Sequence, residues 1–123
     1  MKMTLDSMAG LNTVSAYEAG SCTIHGQCYQ PSLVVFPERI ITDWAVPDIQ
    51  HLTAQDFTLI VEIAPAIVLL GTGERQHFPD PSLCQPLIDA QIGYEVMHNR
   101  AACQTYNILL GEGRQVALVL LAG

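Results

Sequence analysis

The chain has 123 residues, 50% of them hydrophobic and 14% charged, with five Lys and Arg against twelve Asp and Glu for a net charge of −7. This length fits one domain, 1–123, with an ordinary core; the apolar share excludes intrinsic disorder, and the shortage of cations argues against binding nucleic acid or adhering to anionic membranes. No apolar run reaches the ~18 residues of a membrane helix, so no membrane insertion is expected, and Met1-Lys2-Met3-Thr4-Leu5-Asp6 has neither secretory nor transit-peptide character, which places the chain in the cytoplasm.

Residues 1–12 are expected to form a loosely ordered segment. Thr13–Tyr17 alternates weakly and reads as a strand ending at Gly20. Ser21–Ile24 and Gln27–Gln30 flank His25-Gly26, a two-residue hairpin signal. Leu33–Phe36 reads as a buried strand ended by Pro37, and Ile40–Trp44 as another, stopped before Pro47. Thr53 with Asp56 resembles a helix N-cap; Leu59, Ile60 and Ile63 follow at helical spacing up to Pro65. Ala66–Leu70 is a fully apolar run of the kind found in central parallel strands. A helix is predicted from about Ser82 to Gln91, regular from Gln85 because of Pro86. Tyr94–Met97 is a short strand, and Asn99 caps a helix through Leu110 that Gly111 and Gly113 stop. Ala102, Tyr106 and Leu109 share one face of it. Val116–Leu121 is the last strand. Two successive β-α-β units imply a largely parallel sheet with helices packed on it. The N-terminal hairpin extends or covers one side.

Chemistry-bearing groups are scattered. Cys22, Cys28, Cys84 and Cys103 are too few for a disulfide scaffold and read as reduced, mostly buried thiols. Cys22-x-x-His25-x-x-Cys28 has a metal-like spacing. With His25-Gly26 as the turn, however, Thr23 pairs with Cys28 and Cys22 with Tyr29, so the two cysteines point to opposite faces and cannot share a zinc. No metal and no cofactor are expected. Gly71-Thr72-Gly73 follows a buried strand, where doubly wound sheets bind ligands, but Gln76 stands where a dinucleotide fingerprint needs Gly and no Gly-Lys-Ser/Thr follows. His98-Asn99-Arg100 lies at the next strand end, where helix N–H groups and Arg100 make a locally positive edge. In a parallel sheet the two loops are neighbours, which makes Gly71, Thr72, Gly73, His98, Asn99 and Arg100 the candidate binding residues. No nucleophile elbow or metal-binding His pattern occurs, so no catalytic residue is assigned.

Several stretches are familiar: Leu69-Leu70-Gly71-Thr72-Gly73 with Phe78-Pro79, Ile92-Gly93-Tyr94-Glu95-Val96-Met97, and above all Ala101-Ala102-Cys103-Gln104-Thr105-Tyr106-Asn107-Ile108-Leu109, closed by Glu112-Gly113-Arg114. Together these resemble the family of mitochondrial NADH dehydrogenase (complex I) assembly factor 3 and its small bacterial relatives, over nearly the whole chain from about residue 13. The resemblance implies a single three-layer α/β domain around a mixed, partly parallel sheet. For mitochondrial members it implies assembly of a respiratory complex through other proteins. The chain departs from the family pattern at His98-Asn99, where Asp-Thr is usual, at Gln104, where Arg is common, and at Gln91, where Gly is usual.

Two functions follow as expectations. The first is a non-enzymatic interaction or assembly protein whose partners are other proteins or a second copy of itself; the low charge and apolar excess favour it. The second is a small-molecule or anion-binding protein, or an enzyme, that uses the groove at the C-terminal ends of the parallel strands.

Overall fold

The computed structural model describes residues 10–18 and 20–123; most of the segment expected to be loosely ordered, 1–9, lies outside the described residues. Alternation and turn chemistry build the first part. Strands β1 (Val14–Glu18), β2 (Ser21–Ile24) and β3 (Gln27–Tyr29) form an antiparallel sheet in that order. His25 and Gly26 both take positive φ, 51° and 76°, as a tight turn between right-twisted strands requires. The register is Ile24 with Gln27, Thr23 with Cys28 and Cys22 with Tyr29, as the turn predicts. Cys22 is buried and Cys28 is exposed.

The second sheet has five strands in the order β5-β4-β8-β6-β7. Here β4 is Leu33–Phe36, β5 Arg39–Ile41, β6 Ile67–Gly71, β7 Gly93–Met97 and β8 Val116–Leu120. β6 is parallel to both β7 and β8, while β4 is antiparallel to β8 and β5 to β4. The sheet is therefore mixed, with the three expected parallel strands β8, β6 and β7 forming one side of it and β7 at its edge. The strand predicted over Ile40–Trp44 is shorter and starts earlier. The chain leaves the sheet after Ile41, and the Trp44 indole Nε1 donates to the Asp56 carbonyl at 3.1 Å instead.

Helices cover both faces. A 3-10 turn, Ala54–Phe57, leads into α1 (Thr58–Ile63); the Asp56 carboxylate accepts from the Thr53 N–H at 2.7 Å. Ala64, at φ 57°, turns the chain out of α1 just before Pro65. A second 3-10 turn, Pro81–Cys84, continues into α2 (Gln85–Asp89), with Pro86 in the first turn, where its missing N–H costs nothing. α3 spans Asn99–Gly111. Gln91, where the resembling family has Gly, sits at φ 59°, a left-handed conformation that Gly adopts without steric cost.

The core has two halves. On one face Val34, Phe36, Val68, Leu70, Ala117 and Val119 pack against Phe57, Ile60 and Leu87 of the α1–α2 layer. On the other, Leu33, Val35, Leu69, Val116, Leu118 and Leu120 meet α3 and the small sheet through Ala102, Cys103, Tyr106, Leu110, Val14 and Ile24. The hairpin thus covers the central sheet and does not extend it. Leu110, and not Leu109, lies at the centre of the buried stripe of α3; Leu109 is only half-buried.

Candidate functional site

β6 and β7 lie side by side and end together, but the chain leaves them for opposite faces. The path from β6 runs to α2, whose Leu87 packs on one face; the path from β7 runs to α3, whose Ala102 and Tyr106 pack on the other. A crevice opens at such a switch point in open α/β sheets. Gly71, Thr72, Gly73, His98, Asn99 and Arg100 meet there, as the strand order predicts: the Asn99 N–H donates to the Gly73 carbonyl at 2.8 Å and the Thr72 N–H to the Met97 carbonyl at 3.0 Å.

The crevice is filled by the protein itself. Asn99 is buried, and its side chain is engaged on both ends. Nδ2 donates to the Tyr17 hydroxyl at 2.9 Å and to the Leu121 carbonyl at 2.8 Å, and Oδ1 accepts from the Gly73 N–H at 3.0 Å. Gly71 is required by this packing, since a Cβ there would collide with Asn99 Oδ1. Gly73 takes φ 104°, and a Cβ on it would lie 2.7 Å from the Gly123 backbone. Residues 121–123 run beside both glycines, with the Leu121 N–H donating to the Gly71 carbonyl and the Glu74 N–H to the Gly123 carbonyl, each at 3.0 Å. Thr72 is buried too; its hydroxyl donates to the Arg75 carbonyl at 2.7 Å and accepts from the His77 N–H at 3.0 Å. What remains open is a cleft of about 140 Å³ lined in part by Tyr17, Gln30, Glu74 and Asn99.

Two expectations for these residues are corrected. The helix cap is His98, whose Nδ1 accepts from the Ala101 N–H at 3.2 Å; Asn99 is the first helical residue and is turned inward. The edge is also less positive than expected, because Glu74 shares it. Of the six candidates only Arg100 is exposed, and its guanidinium lies 5.9 Å from the centre of the Tyr17 ring, within cation–π range. Burial pushes the Tyr17 hydroxyl above the ordinary tyrosine range, and Glu74 adds to the shift.

The Thr-Tyr-Asn stretch is structural. The Thr105 hydroxyl donates to the Ala101 carbonyl at 2.9 Å. The Tyr106 hydroxyl donates to the Asn12 carbonyl at 2.7 Å, while Asn12 Nδ2 donates to the Phe36 carbonyl at 2.9 Å. Asn107 pairs with Val14 as a neighbouring strand would, accepting from its N–H at 3.0 Å and donating to its carbonyl at 2.7 Å. The motif fastens β1 to α3 and β4. Beside it the Cys22 and Cys103 thiols meet across the β2–α3 contact. The hydrogen bond that the Cys103 thiol donates to Cys22, and then burial, hold Cys103 far above the ordinary thiol range, which opposes nucleophilic chemistry at Cys103; the same bond lowers Cys22. Among the described residues no buried side-chain polar atom lacks a hydrogen-bond partner, and no group of three His, Cys, Asp or Glu could hold a metal.

A mixed five-stranded sheet with helices on one side, and a helix and small antiparallel sheet on the other, defines a three-layer α/β protein. The chain belongs to the family described as "Protein of unknown function (DUF498/DUF598)", whose model matches residues 14–121. The crystal structure of a Bordetella parapertussis protein is similar over 93% of this chain and 98% of its own, with a TM-score of 0.85 at 36% identity. A Mus musculus relative, NADH dehydrogenase (ubiquinone) 1 alpha subcomplex assembly factor 3, is 29% identical over 110 residues, which is 88% of this chain and 59% of that one. A Francisella tularensis relative, named 13 kDa major membrane protein, is 33% identical over 76 residues, 62% of each chain. The chain therefore spans about three-fifths of the length of these two curated relatives. Among the described residues no helix is long and apolar enough to cross a membrane.

The residues that sequence reasoning missed are Tyr17, Leu121 and Gly123, which close the crevice, and Phe78, which stands exposed beside β7. Phe78 carried a signal, as part of the Phe78-Pro79 pair in the family resemblance, and Tyr17 a weaker one, as one of the N-terminal residues that agree loosely with that family.

Proposed function

We propose that this protein works by binding other proteins, as an assembly factor with no bond chemistry of its own. The observation that carries the reading is the closed switch-point crevice. Where related topologies receive a ligand, Asn99 is engaged by Tyr17, Gly73 and Leu121, so among the described residues the buried polar groups of the crevice are taken up by the fold, and the cleft left beside Gln30 and Glu74 is only about 140 Å³, below the usual size of a small-molecule site. The mouse relative's name as an assembly factor supports the same reading and supplies its narrower form, a part in building the respiratory NADH dehydrogenase. The same proposal places the protein in the cytoplasm.

The test has two arms. Loss of the protein from its host is expected to lower the amount of assembled NADH dehydrogenase on native gels, and an unchanged amount would remove the respiratory link. Turnover of any substrate that disappears with His98→Ala or Cys103→Ser would refute the non-enzymatic reading.

A further inference from the structure

We propose that the free edge of β7 is the docking strand for an extended segment of a partner protein, apolar at alternate positions and flanked by Lys or Arg, which adds to the central sheet as a sixth strand. This rests on the protein-binding reading above and names the surface that serves it.

The main chain comes first. β7 ends the five-stranded sheet, and among the described residues no strand pairs with its outer side. The Met97 carbonyl accepts from the Thr72 N–H and so faces inward. Main-chain groups alternate sides along a strand, which turns the N–H and C=O of Tyr94 and Val96 outward. Among the described residues Gln76 meets them there, its Nε2 donating to the Val96 carbonyl at 3.1 Å. β7, Gly93-Tyr94-Glu95-Val96-Met97, contains neither Lys nor Pro, two of the usual devices that keep an edge from pairing.

The side chains come second. Tyr94 and Val96 share a face and, with Phe78, Pro79 and Pro81, line an apolar groove of about 450 Å³ beside that edge. Phe78 stands at its lip with 78% of its surface exposed. A free edge supplies main-chain hydrogen bonds, and a neighbouring apolar groove selects alternate side chains of an added strand.

Charge selects the occupant. Glu95 on the strand and Asp80 between the two groove prolines are both exposed, with Arg75 earlier in the same loop as the opposing charge. A second copy pairing two-fold about the middle of β7 would set Glu95 opposite Glu95, an unfavourable cross-strand pair, between two chains that each carry −7. A strand flanked by Lys or Arg meets the same carboxylates favourably.

The probe is a synthetic peptide of alternating Val and Thr with Lys at both ends, compared with one ending in Glu, followed through the backbone amides of the full chain. The Lys-ended peptide is expected to shift the Tyr94 and Val96 amides and slow their exchange. Gln76→Ala should tighten binding by removing a competitor for the Val96 carbonyl. Phe78→Asp and Val96→Pro should weaken it about tenfold or more; Phe78 is exposed, so its variant keeps the fold even if Val96→Pro does not. No binding, shifts confined to other residues, equal binding of the Glu-ended peptide, or concentration-dependent dimers that protect the same amides would each overturn the proposal. Capture of partners from the host separates it from the broader reading. Partners retained by Phe78→Asp remove this edge and leave protein binding standing, whereas a wild-type chain that captures none removes both.

Discussion

Asn99 joins segments that are far apart in the chain: Tyr17 of β1, Gly73 after β6 and Leu121 after β8. Asn99→Ala leaves the Gly73 N–H and the Leu121 carbonyl buried without partners, and each such group costs about 1–3 kcal/mol. We expect this substitution to lower the unfolding free energy by ~2–4 kcal/mol in urea titration, whereas Arg100→Glu one residue on, exposed with its guanidinium over the Tyr17 ring, stays within ~1 kcal/mol. Equal effects would show that the crevice is not held by Asn99. The residue pair also shows how local rules mislead. Asn is a strong N-cap former, yet His98 caps α3 because hydrogen bonds to Tyr17 and Leu121 draw the Asn99 side chain inward, and the first of these bridges 82 positions.

At the scale of the element, α3 carries the longest-range hydrogen bonds among the described residues through two consecutive residues, Tyr106 to Asn12 and Asn107 to Val14. Its buried stripe runs through Ala102, Cys103, Tyr106 and Leu110, spacings of i, i+1, i+4 and i+8. Helical periodicity located this face to within one residue but chose Leu109 over Leu110. The two positions are 100° apart, and which one is covered depends on where the small sheet sits. Leu110→Ala is therefore expected to cost ~2–5 kcal/mol, and Leu109→Ala less than half of that; the reverse order in denaturant unfolding would contradict the packing described. The β2–β3 hairpin behaves oppositely. Its register follows from two turn residues, His25 and Gly26, and neighbours in sequence sufficed to put Cys22 and Cys28 on opposite faces, while packing on the central sheet decided that Cys22 is the buried one.

For the molecule as a whole, the polar groups buried between layers set its response to pH. Burial pushes the Tyr106 hydroxyl far above its ordinary range, so on raising the pH the unfolded chain loses this proton before the folded one does. A group whose folded pKa is raised gives its full stabilisation below the unfolded value, about 10 for Tyr, and loses it above. Stability should fall as the pH passes about 10, and the fall should be shallower in Tyr106→Phe. Parallel curves for the two proteins would show that the hydroxyl is not buried as described. Sequence alone determined the order of strands and helices, the hairpin register, the parallel centre and the meeting of the two loops after β6 and β7, because each follows from patterns within a few residues or from the handedness of β-α-β crossovers. The family resemblance added the three layers and the mixed sheet. Only the tertiary structure decided that the crevice is closed, that Gln91 adopts the conformation Gly would favour, and that β7 is left as a free edge with Phe78 beside it. Those features depend on contacts between segments tens of residues apart, such as Asn99 with Tyr17 and Gly73 with Gly123, and no local pattern of residue types encodes which distant segment arrives.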